Sequence, residues 1–417
     1  MRQPAGTSVP GPVPRPLLRP WHAITAFGLV SLAADMVYEG ARSIAGPLLA
    51  GLGATALAVG LVTGAGEAIA LVFRLLFGPL ADRTRRYWTL TIAGYTMTAV
   101  CVPLLALAPF AGSAGLALAA LLILAERAGK AVRSPAKSAL LSYAAGAVGR
   151  GRGMAVHKLL DQLGAVAGPL LVAAAVGATA AIWPAMALLA LPGAAAVCLL
   201  LWLRRRVPDM AVYEPASMAE PAVDSTAPAA GRSRLSRAYY LFAAAAGATT
   251  AGLVTFGVIA FHLIEAGLLP VAGVPLVYAG AMLAEAAAAV ATGWVYDRRG
   301  ARVLLVLPVL VALVPGLAFA PGLAAVLAGV LVWGTATGIQ DSTVKALVAD
   351  LVPAERRATA YGIFGAIQGG AALAGGVLAG GLYGHTPVLV AVVCGLQLAA
   401  LVLLAAALRA ASRQPAA

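Results

Sequence analysis

The sequence predicts an all-α membrane protein of twelve transmembrane helices arranged as two pseudo-symmetric six-helix bundles. First, apolar residues make up 61% of the 417-residue chain and charged residues only 11%, too few to give a soluble protein of this size a water-facing surface. Second, the apolar residues gather into twelve runs of about spanning length. Third, the basic residues between the runs fall on alternate connections only.

A helix needs about 20 mostly apolar residues to cross about 30 Å of hydrocarbon. The first twenty residues hold Pro4, Pro10, Pro12, Pro14, Pro16 and Pro20 and no apolar core, so they read as a disordered cytoplasmic tail and not as a cleavable signal peptide. Runs at 21–49, 56–80, 88–107, 115–131, 154–176 and 182–203 give an N-terminal bundle over 21–203. The stretch 204–237 carries Pro208, Pro215, Pro221 and Pro228 among scattered charges and reads as a flexible cytoplasmic linker. Runs at 238–262, 274–296, 303–319, 323–347, 359–382 and 388–408 give a C-terminal bundle over 238–409, with a cytoplasmic tail at 410–417.

Loop charge orients the chain. One set of alternate connections contains Arg83, Arg85 and Arg86, then Lys137, Arg150 and Arg152, then Arg204, Arg298, Arg302 and Arg356, while the other set contains no Lys or Arg. The positive-inside rule puts the basic set, and both chain ends with it, in the cytoplasm of a plasma or inner membrane. The formal net charge of +13 is therefore a topology signal, and no nucleic-acid partner is expected. Cys101, Cys198 and Cys394 sit inside apolar runs without pairing or metal spacing and read as packing residues.

The two halves repeat one another. Gly78-Pro79-Leu80-Ala81-Asp82-Arg83 closes the second run of the first half, and Gly293-Trp294-Val295-Tyr296-Asp297-Arg298 closes the second run of the other half. With Arg86, the first copy resembles the Gly-x-Leu-x-Asp-Arg-x-x-Arg hallmark of the major facilitator superfamily. Gly293, Asp297, Arg298 and Arg302 form its counterpart, and Arg85 stands where the pattern usually has Gly. The resemblance implies a gating role for this motif, through contacts that break and re-form as the halves rock. Gly in it lets helices approach closely, and its Asp and Arg can pair across the halves. In the fifth run, Gly164-x-x-x-Gly168-Pro169 is similar to the start of the family's antiporter motif, although Val172 and Ala173 replace the closing Gly pair; this favours export. Gly129, Lys130, Arg133 and Pro135 resemble a signature of one bacterial subgroup.

Charges at membrane depth cost about 2.5 to 3.5 kcal/mol each on insertion scales, so each needs a partner or a purpose. Asp35, Glu39 and Arg42 share one face of the first helix, which the resemblance implies lines a central cavity. Asp35, Glu39 and Glu67 are candidates for carrying a coupled proton; alternatively Glu39 with Arg42, and Glu67 with Arg74, are static pairs that fix packing. For Glu285 the static role is expected. Arg127, Lys130 and Arg133, with His157, Lys158 and Asp161, form a basic cluster that either receives an anionic substrate or gates the cavity by pairing with Glu126 and Asp161. Gln340, Asp341 and Lys345 can line the cavity from the tenth helix, with Asp341 and Lys345 satisfying one another. Phe27, Tyr38, Trp333 and Tyr361 are aromatics able to stack on a hydrophobic solute.

No His-Glu-x-x-His, acyltransferase spacing, nucleotide-binding Gly-Lys loop or filter-like loop appears. The expectation is a monomeric secondary transporter, not an enzyme, without metal or cofactor. It moves a small solute with protons as the coupling ion, by export or by import of a small, possibly anionic metabolite.

Overall fold

A computed structural model describes residues 18–213, 235–352 and 356–412, except for the side chains of residues 150, 211, 345, 346, 349 and 358. Among the described residues ten helical segments are long and apolar enough to cross a membrane. Two details bring this to twelve spans. The 46-residue segment Gly273–Ala318 turns at Gly300, whose φ of +67° suits a residue without Cβ, and so holds two spans. The helix Gly115–Val148 falls outside the ten because Glu126, Arg127 and Lys130 crowd its apolar stretch.

The first bundle comprises α1 (Pro20–Gly51), α2 and α3 (Ala56–Val72 and Arg74–Thr84), α4 (Tyr87–Leu104), α5 (Gly115–Val148), α6 (Arg150–Thr179), and α7 with α8 (Ile182–Leu188 and Ala190–Arg206). The second comprises α9 with α10 (Arg237–Gly252 and Phe256–Glu265), α11 (Gly273–Arg299), α12 (Val306–Ala318), α13 and α14 (Leu323–Ile339 and Lys345–Leu351) joined by a π-turn at Gln340–Val344, α15 (Arg357–Gly381) and α16 (Thr386–Ala411). The fourth span runs well past the Ala131 at which its apolar run ends, through Lys137 to Val148. A second departure is the break in the seventh span: Leu253 is extended at ψ 100°, and the chain resumes helix at Phe256.

Within each bundle the fifth helix meets the first at glycines. A Cβ at Gly164 or Gly168 of α6 would strike the α1 backbone at Leu32 and Met36, and one at Gly375 of α15 would strike α9 at Ala251. Without a water-driven hydrophobic effect between them, membrane helices associate through such close packing.

The bundles meet where α1 faces α10, α2 faces α15 and α6 faces α11. Toward the ends away from the arginines this contact becomes a seam of small residues. Gly60 and Gly376 occlude each other's Cβ position, Gly380 sits on Ala56 and Leu57, and Gly46 sits on Gly257 and Ala260. The Thr63 and Thr255 hydroxyls join across it at 2.8 Å. Cys198 and Cys394 point outward from the bundles instead of filling the interior.

Candidate functional site

Between mid-membrane and the arginine-bearing ends lies a cavity of about 420 Å³, lined from both bundles. Asp35, Glu39 and Arg42 enter it from α1, Glu67 and Arg74 from the second span, Lys130, Arg133 and Lys137 from α5, and Lys158 and Asp161 from α6. The other bundle supplies Thr250 to Thr255 at the seventh-span break, Glu285 on α11, Trp333, Gln340 and Asp341 on the tenth span, and Gln368 on α15. A recess of about 40 Å³ extends beside it toward the seam, lined by Val102, Leu122, Ile123 and Phe256 together with Arg42, Glu67, Glu126 and Arg127.

The deepest charges form one chain. Arg42 lies 3.1 Å from Glu67 and 3.7 Å from Glu39, Arg127 lies 3.8 Å from Glu67 and 3.7 Å from Glu126, and Arg133 lies 3.8 Å from Glu126. Thr98 donates to Glu126 at 3.0 Å and accepts from Arg133. Tyr278, on the opposite bundle, donates to Glu39, which ties the chain across the interface. Arg127 and Lys130 lie over the Tyr38 ring at 4.2 and 3.7 Å from its centroid, and Arg42 faces Trp333 at 6.0 Å. Gly94 makes room for this layer, since a side chain there would strike Gly129 and Arg133. Breaking such buried pairs one partner at a time costs about 3 to 5 kcal/mol each, because a charge is left behind.

A second group sits nearer the mouth. Asp35 and Asp161 are neighbours on the cavity wall. Lys158 is 2.8 Å from Asp161 and Lys137 is 3.9 Å from it. Lys137 also donates to Ser31 at 2.9 Å, and Ser31 meets His157 at 3.1 Å.

Several sequence expectations are corrected by this geometry. Glu67 pairs with Arg42 and Arg127, not with Arg74: seven helical residues put Arg74 about 10 Å further along the axis, beyond reach. The Arg74 side chain lines the cavity, its Nε buried and without a hydrogen bond. Glu285 has no ion-pair partner within 4 Å among the described residues, which leave out the Lys345 side chain. Of the basic cluster, Arg127 and Arg133 reach Glu126 and Lys158 reaches Asp161, while Lys130 reaches neither. Phe27 is fully buried against Trp88, away from the cavity, whereas Tyr38 and Trp333 line it. Tyr361 is not among the residues lining it. The Lys345 side chain lies outside the described residues, so its pairing with Asp341 does too.

At the motif, Gly78 and Gly293 face open space instead of a neighbouring helix. Asp82 lies near the Tyr87 hydroxyl, and Arg298 stacks on Trp294 at 3.3 Å. Arg83, Arg86, Asp297 and Arg302 form no ion pair across the halves among the described residues. Arg85, the position that departs from the pattern, caps α3 in the left-handed region at φ +51°, and Gly300 occupies the matching place after α11. The pattern's glycine is thus a conformational requirement that Arg85 meets at a cost of about 1 to 2 kcal/mol.

Three cavity features gave no signal in the apolar runs. Lys137 looked like loop charge because the run ends before it. Tyr278 looked like one more aromatic of a span. The break at 253–255 exposes the Val254 carbonyl, which accepts from Trp333 at 2.7 Å; its only forewarning is the helix-weakening sequence Thr249-Thr250-Ala251-Gly252.

The same architecture recurs among known proteins. A point variant of nucleoside transporter NupG superposes with a TM-score of 0.70 at 14% identity, over 93% of this chain and 99% of that one. A peptide transporter POT variant gives 0.70 at 18%, over 94% and 95%. A bacterial homologue of the human lysosomal transporter Spinster, inward-facing and occupied, gives 0.63 at 15%, over 95% and 96%. Uncharacterized proteins of Mycobacterium tuberculosis and Mycobacterium bovis are 52% identical over 392 residues and 94% of each chain. The profile of the Major Facilitator Superfamily matches residues 27–334 and 265–417. Twelve spans in two bundles around a charged central cavity, with that match along nearly the whole chain, make this protein a member of the Major Facilitator Superfamily.

Proposed function

We propose that this protein is a proton-coupled secondary transporter that exports a small solute across the cytoplasmic membrane by alternating access. The observation that carries the proton coupling is the Asp35–Asp161 pair. Asp35 and Asp161 line the same cavity wall as neighbouring carboxyl groups, an arrangement that favours one shared proton, and Lys137 and Lys158 flank the pair. Loss of that proton sets two like charges against each other and draws the lysines in, so occupancy of the pair is tied to the packing of α1, α5 and α6.

By the positive-inside rule the arginine-bearing ends are cytoplasmic, as are both chain ends, and the conformation is inward-facing. Rocking the bundles about their contacts would close this mouth and part the glycine seam. The Asp82 and Asp297 motifs lie at the mouth, where closing would bring them against the opposite bundle, in keeping with a gating role. Export is favoured by the α1–α6 crossing at Gly164, Gly168 and Pro169, which resembles an antiporter motif. Import is the second reading, favoured by the excess of basic side chains in the N-terminal bundle and by likeness to nucleoside and peptide transporters.

Everted vesicles, whose arginine-bearing face looks outward, separate these readings. With a panel of amino acids, dipeptides, nucleosides and lipophilic cationic dyes, an acid lumen drives accumulation of an exported solute and expulsion of an imported one. In Asp35→Asn the pH gradient ceases to drive flux while exchange at equal pH persists. Full coupling in both Asp35→Asn and Asp161→Asn would refute the assignment.

A further inference from the structure

The cavity's charges are shared unequally between the bundles. Among the described residues every basic side chain lining it comes from the N-terminal bundle, and the C-terminal bundle's only charged lining residues are Glu285 and Asp341. Most of these charges already have protein partners. Arg42, Arg133, Lys137 and Lys158 are engaged with Glu39, Glu67, Glu126 and Asp161, while Arg74 has no carboxylate within 4 Å among the described residues and keeps an Nε without a hydrogen bond. Two more unpaired groups stand on opposite bundles. Lys130 has no carboxylate within 4 Å and rests on the Tyr38 ring. Glu285, on the opposite wall, has no cation within 4 Å among the described residues, which leave out the Lys345 side chain.

A charge held at membrane depth without a partner is costly, and a ligand that supplies the partner removes that cost. Lys130 calls for an anion and Glu285 for a cation. Building on the transport reading above, we infer that the substrate is a small zwitterion, its carboxylate received by Lys130 and its ammonium by Glu285. Because the two charges sit on different bundles, such a solute spans the interface that moves. A purely anionic or purely cationic solute leaves one of the two groups unsatisfied, so the site discriminates against it as well as favouring the zwitterion.

The test is a matched panel: leucine, phenylalanine and leucyl-phenylalanine, each with its N-acetyl derivative and its methyl ester, measured by binding to purified protein and by counterflow in proteoliposomes. At least one free zwitterion should bind about tenfold more tightly than both of its one-ended derivatives, the discrimination expected from one charge-assisted contact. Glu285→Gln should abolish the preference for the free amine while keeping that for the free carboxylate, and Lys130→Gln should do the reverse. The wild-type panel decides the matter even if a variant fails to fold. Equal or tighter binding of the one-ended derivatives, or binding of no zwitterion, overturns the inference. Counterflow of nucleosides or cationic dyes without any zwitterion would overturn the substrate class and leave the transport reading standing; absence of flux for every solute would overturn the transport reading itself.

Discussion

Replacing Gly376 with Ala should tip the protein toward its outward-open conformation. The Gly376 and Gly60 backbones meet so closely that a methyl group at either strikes the other's carbonyl, and no flexible side chain is present to give way. The helices α2 and α15 must separate by roughly an ångström, and overpacking of this kind costs about 1 to 3 kcal/mol. That cost falls only on the conformation in which the seam is closed. The equilibrium between closed and parted seam should therefore shift by about 5- to 150-fold. Thr63 reports on it, because its hydroxyl bonds Thr255 within the seam. With Cys101, Cys198 and Cys394 replaced, a Thr63→Cys reporter should react faster with a membrane-impermeant thiol reagent applied from the arginine-poor side when Gly376→Ala is present. Equal reactivity in a well-folded, monodisperse Gly376→Ala protein would refute the idea that this seam is what closes that side.

Arg42→Gln leaves Glu67 with only Arg127, at 3.8 Å, and Glu39 with only Tyr278, so it should lower stability by about 3 kcal/mol, at the low end because both pairs are partly hydrated. Thermal unfolding in detergent measures this, and a loss under about 1 kcal/mol would show the pairs to be weak. Arg85→Gly relieves the left-handed strain at φ +51° but adds freedom to the unfolded chain, for a net gain of about 0.5 to 1 kcal/mol, seen as a raised melting temperature.

The fold was legible in the sequence because hydropathy and loop charge are properties of consecutive residues. Twelve runs and the empty arginine-poor loops needed no knowledge of what touches what. The site was legible only as an inventory. Asp35, Glu39, Arg42 and Glu67 could be recognised as buried charges, yet the partner of Glu67 was sought on its own helix at Arg74, when the nearer guanidiniums come from α1 and α5. Lys137 was assigned to a loop because apolar runs end at charges, whereas a helix facing a polar cavity continues through them. The positive φ at residue 85 was hinted at by a family pattern but hidden by the arginine that occupies it.

The fourth span has one more consequence. At 34 residues α5 is about 50 Å long, some 20 Å more than the hydrocarbon it crosses, and the surplus projects on the arginine-bearing side. For bundles that rock about their mid-membrane contacts, the projecting end would be a lever arm. A rotation of roughly ten degrees at mid-membrane would carry a tip about 35 Å away through about 6 Å, and Lys137, about halfway along the arm, through about 3 Å. Small strains among the central charges are thereby amplified into movements the size of a side chain at the water's edge.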